Sequence, residues 1–373
     1  MDALMLPLNW QRVRLGDIGK PCMCKRVMKH QTTRYGEIPF YKIGTFGNTA
    51  DAFISKKLFL EYKTKYSFPK KGDILISASG TIGRAVIYDG KPAYFQDSNI
   101  VWIDNDETLV KNDFLFYAYS NVKWNTEHTT ILRLYNDNFR NTLIPLPPLN
   151  EQSAIANILS GLDRYLCALD ALILKKEGVK KALSFELLSQ RKRLKGFNQA
   201  WQRVRLGDIA NCLTSNLSVE QITQQGKIKV YDANNFIGYT DTTFISDKPY
   251  ISIVKDGSVG RVRILPPKTN ILSTMGALIA NHRTTTEFLF YLLSNFDFKN
   301  FISGSIIPHI YFKDYKEKTI FLPPLNEQSA IANILSDLDN EIASLKNKKR
   351  QFENIKKALN HDLMSAKIRV LEK

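Results

Sequence analysis

The sequence predicts an α+β protein in which two globular mixed α/β domains are joined by two long antiparallel coiled-coil helices, with a pseudo-twofold internal repeat. The first observation is a duplication: residues 10–18 recur as residues 201–209, and residues 146–160 recur as residues 322–336. The second is a heptad-like stripe of apolar residues after each copy of the longer block. Two long matches in the same order indicate a duplicated unit.

The repeated blocks divide the chain of 373 residues into four segments. The first block recurs after 191 residues and the second after 176, so the variable region between them is shorter in the second copy. A chain of this length suits two or three domains better than a single core. We therefore predict a variable domain, a helical region, a second variable domain and a second helical region, at residues 1–145, 146–200, 201–321 and 322–373.

Each variable region contains the short apolar runs of a mixed α and β domain. Residues 73–77, 84–88 and 250–254 are rich in β-branched side chains and are bounded by Gly, Asp or Pro, which predicts strands. Residues 113–120 and 287–294 predict short helices. Strands and helices do not alternate regularly, which disfavours a doubly wound nucleotide-binding sheet.

A long helix is predicted after each Pro-Pro pair. Proline disfavours a helix before it, while Asn150 and Asn326 are suitable N-cap residues, each followed by a glutamate that faces the positive end of the helix dipole. The predicted helices cover residues 150–195 and 326–365. Their apolar residues alternate at spacings of four and three, as in a coiled-coil seam. The seam residues are Ile155, Leu159, Leu162, Leu166, Leu169 and Ile173, and then Ile331, Leu335, Leu338, Ile342 and Leu345.

The seam has two interpretations. The commoner one is an amphipathic helix that lies on its own domain. A helix of about forty residues, however, is roughly 60 Å long and extends beyond a domain of about 130 residues. We therefore predict that the two helices pair with each other, antiparallel if a pseudo-twofold axis relates the two copies, and that the seam contributes to subunit interfaces.

The composition favours a nucleic-acid partner. The chain has 52 Lys and Arg against 36 Asp and Glu, and such an excess attracts polyanions. A basic surface without a ligand is the alternative. The four cysteines and five histidines lack metal-ligand spacing, so we expect reduced thiols and no metal. Because no apolar run suits a bilayer and no signal peptide is recognisable, we expect no membrane partner and a cytoplasmic protein.

Both variable regions contain a Gly-x-x-Gly-Arg motif, at residues 80–84 and 257–261. This spacing suits a tight turn between two strands, where backbone amides and the arginine can approach a phosphate. An ordinary hairpin with a surface arginine is the alternative interpretation. The DNA-binding candidates in and beside these turns are Ser79, Thr81, Arg84, Lys255, Ser258, Arg261 and Arg263.

The first variable region also contains a polar, cationic stretch at residues 25–34, which predicts an exposed loop. Arginine and glutamine can read guanine and adenine edges, and lysine binds phosphates. The corresponding stretch near residue 215 is polar but not basic, so the two loops would read different bases. A solvated loop without a ligand is the alternative. The DNA-binding candidates here are Lys25, Arg26, Lys29, Gln31, Arg34, Ser215 and Asn216.

The sequence contains no motif for a reaction. It lacks a phosphate-binding P-loop, a Gly-x-Gly-x-x-Gly fingerprint and a His-Glu-x-x-His helix. It also lacks the Asn/Asp-Pro-Pro-aromatic motif of adenine methyltransferases, since both Pro-Pro pairs follow leucines and mark helix starts. We therefore predict no catalytic residue, no metal and no cofactor on this chain.

These features resemble the specificity subunit of type I restriction-modification systems. The resemblance is carried by Pro-Leu-Pro-Pro-Leu-Asn-Glu-Gln at residues 145–152 and Leu-Pro-Pro-Leu-Asn-Glu-Gln at residues 322–328, which are similar to the segment that opens each conserved helix of that family. The segments that start at Trp10 and Trp201 are similar to the family's domain starts. The resemblance covers essentially the whole chain, and Phe321 in place of Pro145 is a small departure.

The resemblance implies that residues 10–145 and 201–321 are target recognition domains, each reading one half of a split, asymmetric sequence of double-stranded DNA. It also implies that the helices space these domains and bind two methyltransferase (modification) subunits, which use S-adenosylmethionine to methylate adenine. ATP-dependent restriction or translocase subunits would join the larger complex. The alternatives are a stand-alone bivalent DNA-binding regulator without enzymatic partners, and a self-contained nuclease or methyltransferase with an unrecognised motif.

Overall fold

The structure is a computed structural model that describes residues 7–128 and 132–370. The chain separates into two compact units. Unit 1 contains residues up to 169 and residues from 348 onward, and unit 2 contains residues 170–347. Each unit therefore combines one variable region with a part of each helical region. The boundaries after residues 145, 200 and 321 separate globular from helical sequence and stay a prediction.

Unit 1 has short strands and helices. Its strands are β1 (Gln11–Arg14), β2 (Gly19–Met23), β3 (Ile38–Tyr41), β4 (Phe53–Ile54), β5 (Ile74–Ser77), β6 (Ala85–Ile87), β7 (Tyr94–Phe95), β8 (Ile100–Asn105), β9 (Glu127–His128), β10 (Leu132–Arg133) and β11 (Leu143–Leu146). Its helices are α1 (Leu15–Ile18), α2 (Lys56–Lys65), α3 (Asn112–Tyr119), α4 (Asn136–Asn141) and the first part of α5 (Leu149–Leu188). The predicted strands and helix of this region are confirmed to within one residue at each end.

Two sheets form the globular part of unit 1. The larger has the strand order β2-β8-β5-β6 and is antiparallel throughout. The smaller has the order β4-β3-β7, in which β3 is antiparallel to β4 and parallel to β7. A separate antiparallel pair joins β1 to β11. This pair places the start of the variable region beside its end, directly before α5.

Unit 2 repeats this plan. Its strands are β12 (Gln202–Arg205), β13 (Ala210–Thr214), β14 (Ile228–Tyr231), β15 (Phe236–Thr240), β16 (Tyr250–Val254), β17 (Val262–Leu265), β18 (Thr269–Ile271), β19 (Met275–Ala280) and β20 (Thr319–Leu322). Its helices are α6 (Thr286–Ser294), α7 (Phe312–Tyr315) and the first part of α8 (Leu325–Met364). The sheet orders β13-β19-β16-β17 and β15-β14-β18 and the pair β12-β20 match those of unit 1, so the internal repeat is structural as well as sequential.

The core of each unit reaches from the larger sheet to both long helices. In unit 1, sheet and helix residues cluster with the start of α5 and the end of α8, and the cluster includes Ile76, Phe114, Ile155, Leu159, Leu363 and Met364. In unit 2, the equivalent cluster includes Ile251, Phe288, Ile331, Leu335 and Leu187. A globular region of this protein is therefore completed by helical residues that lie far away in sequence.

Both long helices contain 40 residues. They begin one residue before the predicted caps, so that prediction is wrong: Asn150 and Asn326 lie in the first turn, where each side-chain oxygen accepts a hydrogen bond from the next backbone amide. The predicted end near residue 195 is also wrong. The chain leaves α5 after Leu188 and turns at Gln190, whose φ is +63°.

The long helices pair antiparallel within each unit, as predicted. In unit 1, Asp163 forms an ion pair with Lys356, and the rings of Tyr165 and Phe352 lie 4.7 Å apart. Residue numbers thus rise along α5 as they fall along α8. In unit 2 the same arrangement is made by the ion pairs Lys176–Glu341, Lys180–Asp339 and Glu177–Lys346.

The seam residues are all buried or half-buried. Ile155 and Leu159 belong to the core of unit 1, and Ile331 and Leu335 belong to the core of unit 2. The start of each stripe therefore packs on its own globular domain, which was the alternative interpretation of the stripe. The later positions, such as Leu162, lie where the two helices pair. Both interpretations of the stripe hold, on different parts of each helix.

Candidate nucleic-acid interface

The glycine turn of unit 1, residues 79–84, joins β5 to β6. Ser77 at the end of β5 holds the turn, because its hydroxyl accepts a hydrogen bond from the backbone amide of Arg84 at 2.9 Å. Gly83 has a φ of +83°, in the region that favours glycine. A Cβ atom at Gly83 would lie 2.1 Å from the indole nitrogen of Trp124. The turn therefore requires glycine at this position.

The glycine turn of unit 2, residues 256–261, joins β16 to β17 with the same geometry. The backbone of Val254 receives a hydrogen bond from the amide of Gly260 and donates one to the carbonyl of Arg261, both at 3.0 Å. Gly260 has a φ of +81°, and a Cβ atom there would lie 2.7 Å from the ring of Phe298. An aromatic ring thus lies against the second glycine of both turns.

The unit 1 turn divides its candidate residues between the surface and the interior. Arg84 is exposed, and its guanidinium donates to the carbonyl of Phe46 at 2.9 Å. Thr81 is also exposed. Ser79 is buried, and its hydroxyl donates to the side-chain oxygen of Asn99 at 2.7 Å. Arg84 and Thr81 can therefore meet a ligand, while Ser79 fixes the base of the turn.

The unit 2 turn makes a similar division. Arg261 and Ser258 are exposed, and Arg261 donates to the side-chain oxygen of Asn234 at 2.7 Å. Arg263 is half-buried, donates to the carbonyl of Asn234 at 2.6 Å, and lies over the ring of Tyr231 at 5.0 Å. This environment favours a positioning role for Arg263 and a ligand-facing role for Arg261.

A second segment that sequence reasoning missed lies beside each glycine turn. Arg133 bridges to Ser79 in unit 1, and His309 bridges to Asp256 in unit 2. Nδ1 of His309 also lies 2.6 Å from a carboxylate oxygen of Asp256. The sequence carried a signal for this segment, since Arg-Leu-Tyr at 133–135 and His-Ile-Tyr at 309–311 are 176 residues apart, like the helix blocks.

The basic loop of unit 1, residues 25–34, contains a single 3-10 turn. Gln31 closes this turn by accepting a hydrogen bond from the amide of Met28 at 2.8 Å. In unit 2, Gln221 closes an equivalent turn by accepting from the amide of Ser218 at 2.9 Å. The two loops therefore share a backbone geometry although only the first is basic.

The cations of the basic loop differ in their partners. Arg26 forms an ion pair with Asp97 at 2.9 Å, and the ammonium of Lys25 lies 5.1 Å from the ring centre of Tyr66. These contacts orient both side chains along the surface of unit 1. The loop candidates that the structure leaves exposed are Lys25, Arg26, Lys29 and Arg34, while Gln31 is half-buried.

In each unit, the segment before the last strand of the larger sheet connects the loop to the glycine turn. In unit 1, Asp97 binds Arg26 of the loop, and Asn99 binds Ser79 of the turn. In unit 2, the same connection is made by backbone hydrogen bonds from Ser273 to Leu217 and from Lys255 to Thr274. Ser215 and Lys255 thus lie at the base of this region, and Asn216 is exposed. The structure brings the loop and the turn of each unit together.

A buried glutamate near the start of each long helix is held by an arginine and a tryptophan, an arrangement that we call a carboxylate clasp. In unit 1, the indole of Trp10 donates to Glu151 at 3.0 Å, and Arg369 binds the same carboxylate with two nitrogens at 2.7 and 2.9 Å. The hydrogen bond to Glu151 raises the pKa of Arg369. Unit 2 has the same clasp, formed by Trp201, Glu327 and Arg193.

Beside the helix pair, each unit has a groove lined by a lysine and a tyrosine of matching position. In unit 1, Tyr117 donates to Asp163 at 2.7 Å, and Lys356 pairs with the same carboxylate. The groove has a volume of about 500 Å³ in unit 1 and 370 Å³ in unit 2. The second groove repeats the set with Tyr291, Asp339 and Lys180, and the helical residues of both rims, Glu353, Lys357 and Asn360 and then Glu177, Lys181 and Ser184, are 176 residues apart.

The described residues suit binding better than acid-base chemistry. Burial raises the pKa of Tyr117 and of Tyr291 far above the ordinary value, so both stay neutral hydrogen-bond donors. The four cysteines are free, and burial raises the pKa of Cys24 to about 12, which keeps that thiol protonated. Within residues 7–128 and 132–370, no three metal-binding side chains meet, and no helix has the length and apolarity to cross a membrane.

Comparison with known proteins identifies a family. Residues 7–176 and 198–354 each match the type I restriction modification DNA specificity domain. The two matches start close to Trp10 and Trp201, so each includes one copy of the repeat. Together they cover most of the chain.

Individual relatives agree with the domain match. A Haemophilus influenzae chain, named as a candidate type I restriction enzyme specificity subunit, is 64% identical over 148 residues, which span 39% of this chain and only 38% of that relative. The MjaVIII type I restriction enzyme specificity subunit of Methanocaldococcus jannaschii is 25% identical over 99% of this chain and 95% of its own length. The crystal structure of the S subunit of the M. genitalium type I system has the same fold, with a TM-score of 0.63, 21% identity, and coverage of 96% of this chain and 98% of that one.

Proposed function

The chain belongs to the type I restriction-modification DNA specificity family, and we propose that it reads a bipartite, asymmetric sequence of double-stranded DNA, one half with each unit. Specificity subunits of this family are non-catalytic, and other subunits carry the catalytic activity. The observation that supports the proposal most directly is the pair of glycine turns. They share one backbone geometry, yet Ser79 and Thr81 in unit 1 correspond to Asp256 and Ser258 in unit 2.

The chemistry of these surfaces fits duplex DNA. The exposed arginines of the two turns and the exposed cations of the basic loop can neutralise phosphates, which supplies affinity without sequence information. Sequence information must come from side chains that differ between the units. The basic loop of unit 1 and the uncharged loop at Asn216 of unit 2 differ in this way, so unequal half-sites follow.

The two grooves beside the helices support a second part of the proposal, the docking of two methyltransferase subunits. The variable regions differ in sequence, yet both grooves present the same tyrosine, aspartate and lysine and the same rim charges. A feature that is repeated without change suits a partner that is itself present twice. These partner subunits would bind S-adenosylmethionine and methylate adenine, and restriction or translocase subunits that use ATP would complete the system.

DNA reading is tested by binding selection on random duplex DNA with the purified full-length chain, with and without its co-expressed methyltransferase. We expect one asymmetric site with two unlike halves, and transfer of labelled methyl groups from S-adenosylmethionine only when the methyltransferase is present. Methylome sequencing of cells with and without the chain should identify the same site. Methyl transfer by the chain alone, or selection of DNA without any methylation in cells, would favour a self-contained enzyme or a stand-alone regulator respectively.

Docking is tested by reversing one rim charge in each groove. Lys357→Glu in unit 1 or Lys181→Glu in unit 2 should reduce the co-purified methyltransferase from two subunits per chain to one, and the double variant should retain none. Lys175→Glu, an exposed position on α5 that lines neither groove, is the matched control. Two bound subunits in the double variant would show that the partner docks elsewhere.

A further inference from the structure

Unit 2 exposes two adjacent isoleucines at the tip of a short hairpin, residues 303–309, which we call the Ile306 hairpin. Ile306 is 92% exposed and Ile307 is 55% exposed. Exposed apolar side chains are common singly, but an adjacent pair at a projecting tip is unfavourable in water and points to a binding surface. No contact within unit 2 explains their presence at the tip.

The hairpin is held in a defined geometry. Ser303 and His309 exchange two backbone hydrogen bonds, at 2.9 and 2.7 Å, across its base. Gly304 has a φ of +89°, and a Cβ atom there would lie 2.3 Å from the carbonyl oxygen of Ile307, so the turn requires glycine. A tip with fixed geometry loses little conformational entropy when it binds.

The hairpin is also fastened to the glycine turn of unit 2. The amide of Gly257 donates to the carbonyl of Pro308 at 2.9 Å. The imidazole of His309 binds the carboxylate of Asp256 at 2.6 Å. Whatever the exposed turn contacts, the apolar tip is therefore positioned beside it.

The charges around the tip favour a polyanionic partner. Residues 298–313 include Lys299 and Lys313 but no aspartate or glutamate. The nearest carboxylate of the turn, that of Asp256, is engaged by His309. The exposed Arg261 adds a further cation at the turn. An apolar tip inside a cationic surface has the composition of protein wedges that enter a DNA groove and separate stacked base pairs.

We propose that Ile306 and Ile307 form a wedge that inserts between two base pairs of the half-site bound by unit 2. This inference rests on the proposed DNA-reading function and adds a means of discrimination. Pyrimidine–purine steps such as TA and CA unstack most easily. The wedge therefore contributes preference for a flexible step through deformation of the DNA, without hydrogen bonds to base edges.

The test uses the full-length chain with its methyltransferase subunits and the DNA site obtained by selection. 2-Aminopurine, a fluorescent adenine analogue whose emission rises when it is unstacked, is placed in turn at each adenine of the site. We expect emission to rise at one step when the wild-type chain binds. The double variant Ile306→Ser with Ile307→Ser should abolish this rise and weaken specific binding by about tenfold or more.

The salt dependence separates a wedge from a phosphate contact. The double variant should leave the slope of log K against log salt unchanged, because no cation is removed. Leu174→Ser, which removes a 71% exposed apolar side chain from α5, is the matched control and should leave both affinity and emission unchanged.

Each other result is decisive. Wild-type binding without any rise in emission, or an unaltered double variant, would overturn the wedge and leave the DNA-reading function intact. A double variant that keeps the emission but loses its methyltransferase would show that the tip docks a protein, which also overturns the wedge. A wild-type complex that selects no DNA site would overturn the proposed function and the wedge with it.

Discussion

Single side chains in this protein have either an internal or an external task, and their contacts distinguish the two. Arg263 is half-buried and fully oriented by Tyr231 and the carbonyl of Asn234. Arg261, two residues earlier, is exposed at the end of the glycine turn. Arg84 occupies the matching place in unit 1. The exposed arginines, not the half-buried one, are therefore the positions at which DNA binding should respond to mutation.

Substitution of the turn arginines should weaken DNA binding in a salt-dependent way. Arg84→Ala or Arg261→Ala removes one positive charge, so the slope of log K against log salt should decrease by about 1 if the side chain meets a phosphate. Arg203→Ala, at an exposed arginine on β12 outside the turns, is the control. Unchanged affinity and slope in both turn variants would return the turns to ordinary surface hairpins.

The carboxylate clasps illustrate a different requirement of single residues. Glu151 is 2% exposed and Glu327 is fully buried, and a buried carboxylate destabilises a fold unless it is paired and hydrogen-bonded. Trp10 and Arg369 provide both to Glu151. The Glu-Gln of the repeated block is therefore explained by packing within each unit, since the following glutamine also binds backbone groups on both sides of the helix start.

Removal of the clasp arginine should destabilise one unit selectively. Arg369→Ala leaves Glu151 buried with only the indole of Trp10, so the melting temperature of unit 1 should fall by roughly 5 °C or more. Hydrogen exchange should accelerate in the core around Phe114 and remain unchanged in unit 2. Arg12→Ala, at an exposed arginine of β1, should have little effect. Equal loss of protection in both units would contradict a local role for this clasp.

At the scale of elements, the long helices combine two kinds of packing along one stripe. The first seam positions of each helix enter a globular core, and later positions lie where the helices pair. Leu159 is fully buried, whereas Leu162, less than one turn further on, is half-buried. The same stripe therefore supports domain stability at one end and helix pairing beyond it.

Substitution in the pairing part should separate these roles. Leu162→Asp or Leu338→Asp places a carboxylate in the helix pair, which should cost about 1–3 kcal/mol and loosen pairing and partner binding before the globular regions unfold. Leu159→Asp, in the core, should instead unfold unit 1. Circular dichroism with partner co-purification measures both effects. Wild-type stability and full partner recovery in Leu162→Asp and Leu338→Asp would show that this face does not pair.

The sequence allowed prediction of elements whose cause is local. The heptad spacing predicted both helices and their antiparallel pairing, and the Gly-x-x-Gly spacing predicted the strand-joining turns. The helix end near residue 195 was wrong because α5 is ended by a distant partner: after Gln190, Arg193 is drawn to Glu327. The segments at Arg133 and His309 were missed because they pair with the turns only through tertiary contacts. The side chains that would read bases stay a prediction.

At the scale of the molecule, neither unit is a continuous stretch of chain. Unit 1 needs residues 348–370, which supply Lys356, Leu363 and Arg369 to its groove, core and clasp. Unit 2 takes the matching residues from the end of α5. The matching set, found 176 residues earlier, is Lys180, Leu187 and Arg193. The segment that completes unit 2 thus carries the side chains that unit 1 requires.

A fragment that ends near Lys195 should therefore form a closed dimer. It keeps one variable region and the whole of α5 but lacks the segment that completes unit 1, so an apolar stripe and the buried Glu151 are left without partners. In a second copy of the fragment, Arg193 and Lys180 can take the places of Arg369 and Lys356 without a change of residue type. Twofold closure is the commonest solution for such a self-complementary surface.

The DNA preference of this fragment provides the measurement. A dimer with two identical readers in inverted orientation should select a palindromic site, whereas the intact chain should select two unlike halves. Sedimentation and binding selection on random DNA measure the assembly and the preference together, and Arg193→Ala in the fragment should weaken the dimer because it removes the substitute clasp. A monomeric fragment, or one that selects the asymmetric site of the full chain, would show that the end of α5 cannot replace residues 348–370.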